Sequence, residues 1–200
     1  NMGGSSIGVL FAIQSFGPGL GPMVCGLIAA RYGLIATFYF LVGTIIVDED
    51  ADLDEAVVHI LESAFGYQGQ KCSAASRLIL VDEIHDLLLE RLVEAVRSLK
   101  IGPPDDPKYF IGPVIDSAAH AKIIGYLALG RREGKCVLER EAPTKGFFVG
   151  PAIFSEIKTE DRLANEEIFG PVLSVIKAED FSHALQIANS SAYGLTGGVF

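Results

Sequence analysis

The distribution of charge constrains this chain more than any other property. All twenty-five Asp and Glu lie beyond Val47, and the first 47 residues carry a single charge, Arg31. With fifteen of the sixteen Lys and Arg also past residue 47, the two parts carry +1 and 15 − 25 = −10, which add to the formal net charge of −9. A compact soluble domain rarely confines its charge in this way. The chain is therefore expected to consist of two unlike pieces, residues 1–43 and 44–200. The acidic balance makes a nucleic-acid backbone a poor partner. Three widely spaced cysteines, Cys25, Cys72 and Cys136, argue against a disulfide framework.

Residues 5–30 form a run of twenty-six residues without a charge. A helix needs about 20 apolar residues to cross a bilayer core, so this run is expected to resemble a membrane helix. A signal peptide fits less well, because no basic region precedes the run. A buried helix and strand of a soluble core is the plainer alternative. The glycine and proline spacing in GPGLGPMVCG, followed by RYG and TFYFLV, resembles the fifth helix of major facilitator transporters. By that resemblance residues 1–43 are a transporter fragment, too short to form a transport pathway, and the chain reads as a chimera joined near Gly43. Membrane association would then run through residues 5–30.

The second piece alternates strands and amphipathic helices, the pattern of an α/β domain. Residues 44–47 are β-branched and read as a short strand. Asp52 with Glu55 three positions on predicts a helix start, with Val57, Ile60, Leu61, Ala64 and Phe65 as the apolar positions. Residues 78–81 read as a buried strand. The next helix has Leu87, Leu88, Leu92, Val93, Val96 and Leu99 on its expected apolar face. A helix over 117–129, strands near 136–139, 147–149 and 172–178, a helix over 181–189 and a last strand in YGLTGGVF complete the expectation.

The chemistry centres on residues 65–74, FGYQGQKCSA. A cysteine becomes a nucleophile where its thiolate is favoured by a cation, a helix N-terminus or backbone donors. Cys72 follows Lys71 in a loop between a helix and a strand, and Gly66 and Gly69 let backbone approach a ligand. The plain alternative is an ordinary half-buried thiol. Cys25 and Cys136 lie in apolar sequence and read as structural. His59, His85, His120 and His183 are isolated on helices without metal spacing. The acidic run 48–54 lacks the glycine and the terminal glutamate of a calcium loop, so no metal site is expected.

The string FGYQGQKCSAASR resembles the active-site cysteine signature of the aldehyde dehydrogenases. It is flanked in family order by IIVDEDADLDEAV, IGPVID, EEIFGPVLSV and YGLTGGVF. Within the family it is most similar to the branch that oxidises glutamate semialdehyde to glutamate in proline catabolism, the 1-pyrroline-5-carboxylate dehydrogenases. Ala75 stands where that branch commonly carries a second cysteine. The resemblance implies a partial catalytic domain over 44–200, an oxidoreductase using NAD. It makes Cys72 the nucleophile, its backbone N–H half of an oxyanion hole, Glu167 and Phe169 cofactor contacts, and Ser73 a contact for the substrate carboxylate. Taken alone, Glu167 is a surface carboxylate and Phe169 a core aromatic. The family is homo-oligomeric, and its members would place the enzyme part in the cytoplasm. The family's general-base glutamate would fall at position 38, which is Phe38 here, and the dinucleotide-binding domain has no counterpart in these residues. The 200-residue chain is accordingly expected to show little turnover, with a membrane-anchored domain or transporter remnant as the competing reading.

Overall fold

The computed structural model describes residues 41–191 and 195–200. The expected membrane-helix-like segment, the transporter resemblance and Cys25 fall on residues outside that range. Among the described residues, no helix is long and apolar enough to cross a membrane.

Six strands form one sheet in the order β3-β4-β5-β2-β1-β6, namely Lys135–Glu139, Ala152–Ser155, Val172–Ala178, Arg77–Val81, Leu41–Val47 and Leu195–Val199. Every neighbouring pair is parallel except β3 with β4. The main helices are α1 Leu53–Phe65, α2 Asp82–Ser98, α3 Ser117–Glu133 and α5 Phe181–Ala188, with a single turn α4 at Arg162–Asn165. Helices cover both faces. α1 and α2 pack Ile60, Phe65, Leu88, Leu92 and Val96 against Ile45, Leu78, Leu80 and Val175. α3 and α5 pack Ile123, Leu127, Ala184 and Ile187 against Ile46, Ile79 and Ile176 on the other face. A parallel sheet covered on both sides has near-continuous apolar strands, and β2 is buried at all five positions.

Local chemistry starts the helices where the sequence indicates. The Asp52 carboxylate accepts from the Asp54 and Glu55 N–H groups, at 3.0 and 3.3 Å, a cap that stabilises by roughly 1 kcal/mol. Asp116 and Asp180 do the same for α3 and α5. Three expectations differ. Leu87 is 48% exposed, because the face of α2 turned to the sheet is set by Ile84, Leu88 and Leu92. Residues 147–149 form no strand: Gly146 has φ +105° and Gly150 and Pro151 follow, so the strand begins only at Ala152. Cys136 is exposed on the edge strand β3 rather than packed in apolar surroundings.

One row of buried polar side chains crosses the sheet. Thr44 on β1, Arg77 on β2 and Ser174 on β5 are register partners, and all are buried. Arg77 Nη2 donates to the Ile187 carbonyl at the end of α5, at 2.5 Å. Its Nε and Nη1 have no partner among the described residues. Burial lowers its pKa to about 10.

Candidate active site

Two loops build the site, and the sheet order brings them together. One runs from the end of α1 into β2 and carries Cys72. The other runs from α4 into β5 and carries Glu167 and Phe169. Because β2 and β5 are neighbours, the loops meet although they are distant in sequence. Both lie before their strands, whereas ligands of open α/β sheets usually bind beyond the carboxyl ends. Cys72, Glu167 and Phe169 line one pocket with Gly69, Ala75 and Gly170.

The Cys72 loop is shaped by its backbone. Tyr67, Gln68 and Gly69 are successively left-handed, with φ of 54°, 59° and 67°. Side-chain-bearing residues seldom adopt that region, and the surrounding structure must enforce it. The chain then makes a turn closed by the Ala74 N–H on the Lys71 carbonyl at 2.9 Å, which puts Cys72 and Ser73 at its exposed corner. Among the described residues the backbone N–H of Cys72 has no hydrogen-bond partner. The turn is pinned to β1 from behind, where the Ser76 N–H donates to the Gly43 carbonyl at 2.8 Å.

Lys71 takes a different part from the one its neighbourhood to Cys72 suggests. Its Nζ donates to the Glu62 carbonyl at 3.1 Å, near the end of α1, and lies 6.0 Å from the Tyr67 ring. A cation at a helix C-terminus satisfies orphan carbonyls and the helix dipole. Ser73 shares the exposed corner but is not among the residues lining the pocket.

On the second loop two consecutive glutamates separate. Glu166 is bound by Arg162 at 2.7 and 2.9 Å and by the Tyr126 hydroxyl at 2.7 Å. The Arg162 and Tyr126 hydrogen bonds hold its carboxyl down to about 2. Glu167 is exposed at the pocket and has no ion pair among the described residues. Phe169 adopts φ +55° and leaves its ring 37% exposed, so it is not the core aromatic its composition suggests. The remote thiol is chemically distinct. Partial burial, and then the Glu139 carboxylate, push the Cys136 thiol up. Among the described residues no cluster of His, Cys, Asp and Glu could hold a metal.

Gln68 and Gln70 were not expected to matter, and both reach away from the loop. Gln70 Oε1 accepts from the Ile115 N–H at 2.9 Å. The hydrogen-bond network orients the Gln68 amide so that its oxygen accepts from the Gly112 N–H at 2.8 Å while its nitrogen donates to the Tyr67 carbonyl at 3.2 Å. Gly112 and Ile115 are remote in sequence, so no local signal marks these two contacts.

The fold and site together define an α/β domain that presents a turn-mounted cysteine beside an exposed carboxylate and an aromatic ring. Comparison with known proteins narrows this class. The model of the aldehyde dehydrogenase family matches residues 42–200, and the chain belongs to that family. A 1-pyrroline-5-carboxylate dehydrogenase of Anoxybacillus flavithermus is 48% identical over 157 residues, 78% of this chain and 30% of the relative. A solved 1-pyrroline-5-carboxylate dehydrogenase from Thermus with bound NAD is 46% identical, with a TM-score of 0.76 over 78% of this chain and 30% of that one. Proline utilization A from Bdellovibrio bacteriovorus, inactivated by N-propargylglycine, is 47% identical with a TM-score of 0.79, over 82% of this chain and 17% of that one. The chain thus spans about 30% of the length of the curated relatives it matches.

Proposed function

We propose that residues 41–200 are part of the catalytic domain of an NAD-dependent aldehyde dehydrogenase, with Cys72 as nucleophile. The observation that carries this reading is the convergence of Cys72, Glu167 and Phe169 on one pocket. The Cys72 thiolate attacks the aldehyde carbon, and its own free N–H receives the charge that develops on oxygen. Glu167 and Phe169 fit a nicotinamide nucleotide chemically: an unpaired carboxylate accepts from ribose hydroxyls, and a partly exposed ring offers a flat apolar face. The chemistry supplied by NAD when bound there is the two-electron oxidation of the aldehyde–cysteine adduct. A thioester on Cys72 then awaits water.

Similarity to 1-pyrroline-5-carboxylate dehydrogenases supports glutamate semialdehyde as substrate, oxidised to glutamate in proline catabolism. Ser73, on the same turn as Cys72, is the side chain offered to the substrate carboxylate. Phe38 stands where the resemblance sets the general base, so thioester hydrolysis by this chain is slow.

The test is acylation by p-nitrophenyl acetate. Cys72 attacks the acetyl carbonyl, p-nitrophenolate leaves, and the thiol proton passes to solvent. A stoichiometric burst with little steady turnover is expected, absent in Cys72→Ser and retained in Cys136→Ser. A burst that survives Cys72→Ser overturns the reading. The uncharged run 5–30 favours a second reading for the first segment alone, insertion into a bilayer. Detergent partitioning lost on deletion of residues 1–40 is its signature.

A further inference from the structure

We propose that Gln68 and Gln70 are positioning residues that hold the Cys72 turn in the geometry needed for carbonyl attack. The inference rests on the reading of Cys72 as nucleophile.

The loop before Cys72 is strained, and its direction decides where the thiol points. Tyr67 and Gln68 are left-handed without being glycine, at φ 54° and 59°. Such conformations cost of order 1–3 kcal/mol each and persist only where other contacts over-determine them. Tyr67 is 77% exposed, so packing of its ring supplies little of that restraint. The two glutamines do. Gln68 bridges the strained Tyr67 carbonyl to the Gly112 N–H. Gln70 caps the Ile115 N–H at 2.9 Å. Both partners lie on the segment between α2 and α3, which is anchored independently: Ile111 is fully buried, and the Val114 N–H donates to the Phe147 carbonyl at 2.8 Å.

The two struts therefore tie the strained run to a fixed support on either side of Gly69. A methyl at Gly112 would stand 3.1 Å from the Gln68 amide, which shows how closely that strut is seated. Neither glutamine lines the pocket, so neither has a direct part in the chemistry. Their role is to fix the approach of Cys72 and of its N–H to one carbonyl at once.

Two reagents separate positioning from simple loss of structure. Acylation by p-nitrophenyl acetate needs thiolate and N–H aligned on the same carbonyl, whereas alkylation by iodoacetamide needs only an accessible thiolate. In Gln70→Leu the ratio of the Cys72 acylation rate to its alkylation rate is expected to fall about tenfold or more, as misplacement by an ångström does. Ile115→Pro removes the same hydrogen bond from its other end and is expected to lower the ratio equally. Gln70→Glu keeps the acceptor oxygen and is expected to hold the ratio within about twofold of the parent chain. The ratio also absorbs any change in thiolate content that the added charge brings. An unchanged ratio in both Gln70→Leu and Ile115→Pro, with the parent chain still acylated, overturns the positioning role alone. If the parent chain shows no acylation of Cys72, the nucleophile reading fails and the inference falls with it.

Discussion

Gly69 and Gly170 meet with no room for a methyl group between them: a Cβ on Gly69 would stand 2.3 Å from the Gly170 carbonyl oxygen. This contact joins the Cys72 loop to the Glu167–Phe169 loop. Gly69 also has φ +67°, where a side chain is disfavoured. Gly69→Ala is expected to destabilise the domain by about 2 kcal/mol or more, read by chemical unfolding. The same substitution is expected to lower Cys72 acylation beyond what the stability loss accounts for, since the pocket must widen.

The two described thiols should separate under iodoacetamide. Cys72 stands at the corner of an exposed turn, while burial and Glu139 raise the Cys136 pKa and reduce its thiolate. Mass spectrometry at neutral pH is expected to show Cys72 alkylated several-fold faster. Equal labelling would contradict the view that partial burial and Glu139 hold Cys136 back.

Glu166 gives a pH signature away from the chemistry. Its folded pKa is about 2, against 4.5 for the unfolded group, so it adds stability that is present above pH 4.5 and lost as pH falls towards 2. Glu166→Gln is expected to flatten that part of the acid-unfolding profile relative to the parent chain. A variant that keeps the parent's full slope between pH 4.5 and 2 contradicts the assignment to Arg162 and Tyr126.

Arg77 is a buried cation with two N–H-bearing nitrogens lacking partners among the described residues. A buried charge that is incompletely hydrogen-bonded opposes folding, and an apolar side chain of similar volume is often tolerated or better. Arg77→Met is expected to unfold at the same or higher denaturant concentration, whereas Arg77→Ala should unfold earlier through the cavity it leaves. A large loss in Arg77→Met would contradict the view that the buried guanidinium opposes folding.

The legible parts of this molecule are those whose cause is local. β5 is legible as 172–178 because its residues are apolar almost without a break, and the start of α1 because Asp52 with Glu55 marks a helix cap. The Cys72 loop was readable from its glycines and from the family resemblance. Long-range causes were hidden. Lys71 sits beside Cys72 in sequence, but its amine is drawn to the end of α1. Glu166 and Glu167 are adjacent and identical as letters, but Arg162 four residues back and Tyr126 arriving from α3 tie up the first and leave the second to the pocket. Residues 147–149 have strand composition, yet the glycines and proline around them decide otherwise.

The polar row Thr44, Arg77 and Ser174 has a consequence for how the sheet finds its alignment. In strands covered on both faces, apolar side chains alternate with apolar side chains, so sliding one strand along another by a residue barely alters which atoms are dry. Hydrophobicity alone cannot tell the correct alignment from its neighbours. Three hydrogen-bonding side chains at one level of three adjacent strands can, because a slip of β2 would carry the guanidinium away from the Ile187 carbonyl and leave it among hydrocarbon. Arg77 thus works as a place-marker: it reduces the depth of the native minimum while removing its nearest competitors.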